Sequence, residues 1–337
     1  MSQYKLIYDT DPGVDDAMAL VFQALHPDIE LLGITSVFGN GTVDTTTRNA
    51  LYLRSRFAPG VPVARGAAAP ASRAAPVPLG WIHGDNGLGN IELADIADTT
   101  LDPRPAHRFI IDTVRARPGE VTLIAVGPLT NLALVLDHDP EIAHLVRQVV
   151  VMGGAFGTDG VFGNVTPTGE ANVLCDPESA DRVFGAPWPV TIVGLDVTQR
   201  TIMTNDWLAS LRDDAGEPGR FVWDVSRHYA QFHEDSAALD GIHVHDSSAV
   251  ACLLAPHLYV TRSGPVRVLT DGIATGLTLQ KPATMPVSTP AWDARPDCAV
   301  CVGVDAAGVR ALYRRTFLDA VQASGRERRE PRDEPGP

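Results

Sequence analysis

The sequence predicts an α/β fold: a single domain with a mostly parallel, Rossmann-like central sheet flanked by helices. Short β-branched runs alternate with longer segments of helical period along most of the 337 residues, the rhythm of parallel strands joined by crossover helices. One run, residues 121–126 (VTLIAV), is apolar throughout, as a strand covered on both faces must be. In order, residues 5–8 read as the first strand, a Pro12-Gly13 turn follows, and a helical pattern covers Val14–Leu25. Ile29–Ser36 is the second strand and residues 45–56 the next helix; after the apolar run, residues 128–136 are helical. Gln148–Met152 and residues 190–195 repeat the strand pattern.

The length allows two domains at about 150 residues each, yet no internal seam divides the chain. Residues 67–78 (AAAPASRAAPVP) are Ala/Pro-rich, but the β-α rhythm resumes after them. They are expected to form a long surface loop inside one domain of residues 1–323. Residues 324–337 (SGRERREPRDEPGP) are charged, Pro-rich and free of apolar anchors, the composition of a disordered tail. A formal net charge of −14 argues against nucleic acid or an anionic membrane as partner, since both call for basic patches. Four cysteines are too few for a disulfide framework. The first residues carry no signal-peptide pattern, and no run reaches the ~18 apolar residues of a membrane span. A soluble, cytoplasmic protein is expected.

The densest chemical signal is DTDPGVDD, which sets Asp9, Asp11, Asp15 and Asp16 at the C-terminal end of the first strand, the edge where open α/β sheets bind ligands. An Asp or two beside a helix start needs no further reason. Four together repel unless a cation neutralises them, and an all-oxygen set suits Ca²⁺ or Mg²⁺ rather than zinc.

DTDPGVDDAMAL resembles the signature of the nucleoside hydrolases, Ca²⁺-dependent enzymes that split ribonucleosides into ribose and free base. Later segments resemble the family in the same order: TSVFGN ending at Asn40, HGDNGLG from His83, VGPLTNLAL from Val126 and VVMGGAF from Val150. GNVTPTGEANVLCDPESA from Gly163, HVHDSSAV around residue 245 and VCVGVDAAG near the end complete the series. The resemblance implies the nucleoside hydrolase fold, a homodimer or homotetramer, and a role in purine or pyrimidine salvage and nucleoside catabolism. The chemistry itself calls for such residues. Breaking an N-glycosidic bond builds positive charge on ribose and negative charge on the base, so it needs an activated water, anions near the sugar and an acid near the base.

By that resemblance, Asp11, Asp16, Asp246 and the backbone carbonyl of Val126 hold Ca²⁺, and Asp11 also takes the proton from a metal-bound water. Asp15 and Asp246 face the ribose hydroxyls, together with Asn40, Asn164, Glu170 and Asn172. Met152 packs on the sugar, although Met is as readily plain core and Asn in a loop is often a turn former. The spacing of Glu170 and Asn172 sets both on one side of an extended segment. His245 would protonate the leaving base, as in the His-containing branch of the family; purine-specific relatives carry Trp there. His83, Tyr229 and His233 are candidates for the base pocket, the last two being four apart on one helix face. Trp81 either stacks on a base or pins its loop. Ala171 stands where many relatives carry a bulky aromatic, which leaves a wider pocket or one filled by another side chain.

Cys298 and Cys301 form a CxxC in a strand-like run without a second pair, which favours core packing over zinc or redox use. Two rival readings stay open. A haloacid-dehalogenase-like phosphatase would use the first Asp of the motif as nucleophile. A non-catalytic nucleoside or ribose sensor would keep the pocket alone.

Overall fold

Eight strands form one sheet at the centre of the computed structural model, which describes residues 3–78, 80–282, 284–286 and 288–327. β1 (Tyr4–Thr10), β2 (Ile29–Ser36), β3 (Val63–Ala64), β4 (Val121–Ala125), β5 (Gln148–Met152) and β6 (Val190–Val193) run parallel. The short pair β7 (Ile202–Met203) and β8 (Ile242–His243) stands apart from the sheet. Beyond them come β9 (Tyr259–Gly264), the hairpin β10 (Val266–Val268) and β11 (Thr278–Gln280), and β12 (Cys298–Val304). The sheet order is β3-β2-β1-β4-β5-β6-β12-β9, with β12 parallel to β6 and only β9 reversed.

The helices are α1 (Val14–Leu25), α2 (Val43–Phe57), α3 (Gly80–His83), α4 (Ala106–Ala116), α5 (Thr130–His138), α6 (Ala171–Cys175) and α7 (Pro177–Phe184). After β6 follow α8 (Leu195–Thr198), α9 (Asn205–Asp214), α10 (Gly216–Ala237), α11 (Asp246–Leu254), α12 (Pro290–Asp293) and α13 (Ala306–Glu327). The last helix therefore runs four residues past the domain end expected at 323, and the rest of the expected tail lies outside the described residues. The strands and helices anticipated from the sequence are all present; α1, β2 and β5 keep the expected ends, and the others are displaced by one or two residues.

Alternation along β1 shows how the sheet divides the core. Leu6 and Tyr8 pack on one face with α1, α2, α10 and α11, whereas Ile7 packs on the other with α4, α5 and α7. Every residue of β4 is buried, as its unbroken apolar sequence required. α1 is buried on nearly all sides, so it is apolar around its circumference beyond the first turn. Cys298 and Cys301 fall three apart on a strand and so face opposite layers. That geometry removes any dithiol role, and Cys301 instead packs 3.8 Å from Cys252 in the core. Among the described residues no helix is long and apolar enough to cross a membrane.

Candidate active site

β1 is flanked by β2 on one side and β4 on the other, so chain connections diverge there and a crevice opens beyond the strand ends. Asp11 follows β1, Asn40 follows β2, Val126 follows β4 and Met152 ends β5. A cleft of about 580 Å³ lies at this edge, and every candidate metal, sugar and base residue named above lines it except Asp16, which is hydrogen-bonded to the lining residue Asn40.

The acidic end forms around the start of α1. One oxygen each of Asp15, Asp16 and Asp246 come within 4.8 Å of one another. Asp16 is held from three sides: Thr10 Oγ1 donates to one oxygen at 2.5 Å, and the Gly13 N–H and Asn40 Nδ2 donate to the other at 3.0 and 2.9 Å. Asp11 accepts the Asn40 N–H at 2.7 Å through Oδ2, while its buried Oδ1 has no partner. Two glycines make room for it: a Cβ on Gly39 would lie 2.0 Å from Asp11 Oδ2, and one on Gly127 2.5 Å from Oδ1. Asp15 Oδ1 is also buried without a partner.

Asp9 departs from the expected four-carboxylate cluster. It is buried away from the cleft, accepting from Thr35 at 2.5 Å and Asn131 at 2.8 Å. Asp246, the first residue of α11, takes its place. Unlike the equally buried Asp11, Asp9 does not line the cleft, which removes the phosphatase reading that relied on it as nucleophile.

Burial first, and the neighbouring carboxylates next, hold the Asp11 and Asp246 carboxyls well above the ordinary range. Burial likewise pushes Asp15 and Asp16 up to about 6. A rise of two units costs about 3 kcal/mol per ionised group, more than the ~0.3–1 kcal/mol that a helix N-terminus returns. Capping alone therefore does not account for this arrangement. No Lys or Arg lines the cleft among the described residues. Partnerless buried oxygens, like charges and an all-oxygen donor set together fit a hard divalent cation.

Glu170 and Asn172 differ from the extended arrangement expected of them. Glu170 is the N-cap of α6 and accepts the Gly154, Asn172 and Val173 N–H groups at 2.9, 3.0 and 3.1 Å. Asn172 lies two residues on, in the first turn of α6, and donates Nδ2 to the Val126 carbonyl at 2.8 Å and the Met152 carbonyl at 3.2 Å. It thus ties the ends of β4 and β5 together beside the cleft. Asn164 accepts the Ala171 N–H at 3.0 Å, which leaves its amide NH₂ available to a ligand. Met152 is buried and lines the cleft.

The opposite end is aromatic. His83 stacks on Tyr229 at 5.3 Å, Tyr229 meets His233 edge-on at 4.3 Å, and His243 lies between His233 and His245 at 5.0 and 5.7 Å. Trp81 packs edge-on against Phe232 at 5.2 Å and also lines the cleft, so it serves its loop while still meeting the pocket. His245 precedes α11, and its Nδ1 lies 2.7 Å from Thr198 Oγ1, which leaves Nε2 for a ligand. Burial, and then the other histidines, keep its basicity well below the usual imidazole range. His243 and Thr198 were not anticipated. The HVH spacing before Asp246 carried a signal for His243, since residues two apart in extended chain share a side; nothing in the sequence pointed to Thr198. The 67–78 segment is irregular as expected, and its Pro76 and Val77 reach the rim of the cleft.

Comparison with known proteins adds to this geometry. The inosine-uridine preferring nucleoside hydrolase family matches residues 6–311. A probable uridine nucleosidase of Oryza sativa subsp. japonica is 41% identical over 276 residues, covering 82% of this chain and 84% of its own. Among solved structures, a plant nucleoside hydrolase is 34% identical with a TM-score of 0.87, covering 94% of this chain and 99% of its own. A purine-preferring ribonucleoside hydrolase from Gardnerella vaginalis is 32% identical with a TM-score of 0.86, covering 95% and 99%.

Proposed function

The chain belongs to the inosine-uridine preferring nucleoside hydrolase family, and on that premise we propose that it hydrolyses ribonucleosides to ribose and free base at this cleft with the aid of Ca²⁺. The observation that carries the reading is the polarity of one cavity: buried carboxylates at one end and neutral aromatic and imidazole rings at the other. Positive charge developing on ribose favours the first end, and a departing base favours the second.

Asp11, Asp16, Asp246 and the Val126 carbonyl are the groups that would hold the cation. When bound, the ion neutralises the carboxylates and makes an oxygen donor on it more acidic. The roles of the side chains follow from their surroundings. Asp11 is fixed through Oδ2 by Asn40 and keeps Oδ1 free, so that oxygen is the base that takes the proton of the attacking water. Asp15 and Asp246 accept from ribose hydroxyls, and Asn40, Asn164, Glu170 and Asn172 complete the polar shell around the sugar. Met152 supplies an apolar floor. His245, steered by Thr198 through Nδ1, directs Nε2 to the base and assists its departure.

The names of the relatives make uridine and inosine the first substrates to offer. Incubation with each should release free ribose and free base in equal amounts, read by a reducing-sugar assay and chromatography, with no phosphate in the buffer. Sugar release that depends on inorganic phosphate, or release of phosphate from a phosphorylated substrate in its place, would contradict this reaction. No release from any nucleoside would leave a binding protein that lacks catalysis.

A further inference from the structure

We infer that the cleft, acting in the nucleoside hydrolysis proposed above, recognises the base through two imidazoles whose tautomers the backbone sets, His233 accepting a hydrogen bond from the base and His83 donating one to it. His233 Nδ1 lies 2.8 Å from the Tyr229 carbonyl oxygen. A carbonyl only accepts, so the Nδ1 must carry the proton, and in the neutral ring Nε2 is then a bare lone pair. The donor and its carbonyl lie one turn apart on α10, which fixes the ring's orientation as well. Turning the ring over would put a carbon against that carbonyl and forfeit this hydrogen bond.

His83 has the opposite arrangement. The Val14 N–H donates to its Nδ1 at 3.2 Å, so Nδ1 is the acceptor and Nε2 carries the proton. Burial holds this imidazole neutral, its pKa lowered to about 4, so the approach of Asp15 to the same nitrogen at 3.9 Å is not an ion pair. Burial keeps His233 below its ordinary value too. Both rings line the cleft and pack against Tyr229, His83 stacked on it and His233 edge-on, and no other hydrogen bond engages either ring among the described residues. These two rings therefore offer the base one fixed donor and one fixed acceptor. Uracil, whose N3–H stands between two carbonyls, is complementary to that pair. A base whose N–H is methylated meets the His233 lone pair with nothing to give it.

The test compares uridine with N3-methyluridine. In the wild-type protein methylation should lower kcat/KM by about 10- to 100-fold, the loss expected when one buried neutral acceptor is left without its partner. His233→Phe keeps a ring and removes the acceptor, so uridine should fall toward N3-methyluridine and the two should become nearly equal. His233→Gln, whose amide oxygen can reach the Nε2 position, should restore part of the preference. The p-nitrophenyl riboside has no N–H to read, and its retained cleavage shows that each variant is folded with its sugar site intact. Equal cleavage of uridine and N3-methyluridine by the wild type overturns the assignment, as does a preference that persists in His233→Phe. Should the wild type release ribose from no nucleoside, the proposed function itself fails and takes this inference with it.

Discussion

Asp11→Asn should retain the fold and much of the affinity for substrate while turnover falls by about 10²–10⁴-fold, the contribution typical of a general base. The amide matches the carboxylate in shape, and the space cleared by Gly39 and Gly127 admits it without strain. The contact with the Asn40 N–H survives through the amide oxygen. What disappears is a proton acceptor at Oδ1 and one negative charge facing the cation. Because Asp11 repels Asp246 across the site, the metal-free variant should unfold at a somewhat higher temperature than metal-free wild type. Steady-state kinetics and thermal unfolding on the same preparation read both effects. Turnover within a few-fold of wild type would make Asp11 a structural group.

His245→Ala should separate two substrates. Uridine or inosine turnover should fall by about 10²-fold or more, whereas the p-nitrophenyl riboside should be nearly unaffected. The phenolate leaves without a proton, so that substrate bypasses only the step assigned to His245 and still uses Asp11 and the sugar contacts. The ratio of the two losses thus isolates departure of the base from general damage. His245 precedes Asp246 and packs beside Thr198, so a structural role would disturb the metal end and slow both substrates alike. Equal losses would remove the leaving-group role.

Much of this site could be read from the sequence because its parts are local. DTDPGVDD sits at one strand-to-helix junction, and the turn at Pro12-Gly13 and the first turn of α1 bring Asp11, Asp15 and Asp16 together, where Asn40 then holds two of them. The apolar run at 121–126 likewise marked a strand covered on both sides, and Val126 falls at its end. Long-range packing decided the rest. Asp9 shares the motif, but Thr35 and Asn131 from elsewhere in the chain draw it away from the cleft. Glu170 reads as part of an extended segment; in the fold it caps α6 and also accepts the N–H of Gly154, brought in from just beyond β5. His243 owes its place to β8 pairing with β7, an interaction between segments about 40 residues apart that no local pattern announces. The tautomers of His83 and His233 belong to the same class, since each depends on which backbone group the fold presents to the ring.

The account depends above all on a cation at the carboxylate cluster, and the most direct measurement is ribose release by chelated protein before and after Ca²⁺ is returned. Chelation should abolish nearly all turnover of uridine or inosine, and added Ca²⁺ should restore it at a stoichiometry of one ion per chain, with a rise in unfolding temperature as the ion binds the folded state. Undiminished ribose release from fully chelated, metal-free protein would contradict the account.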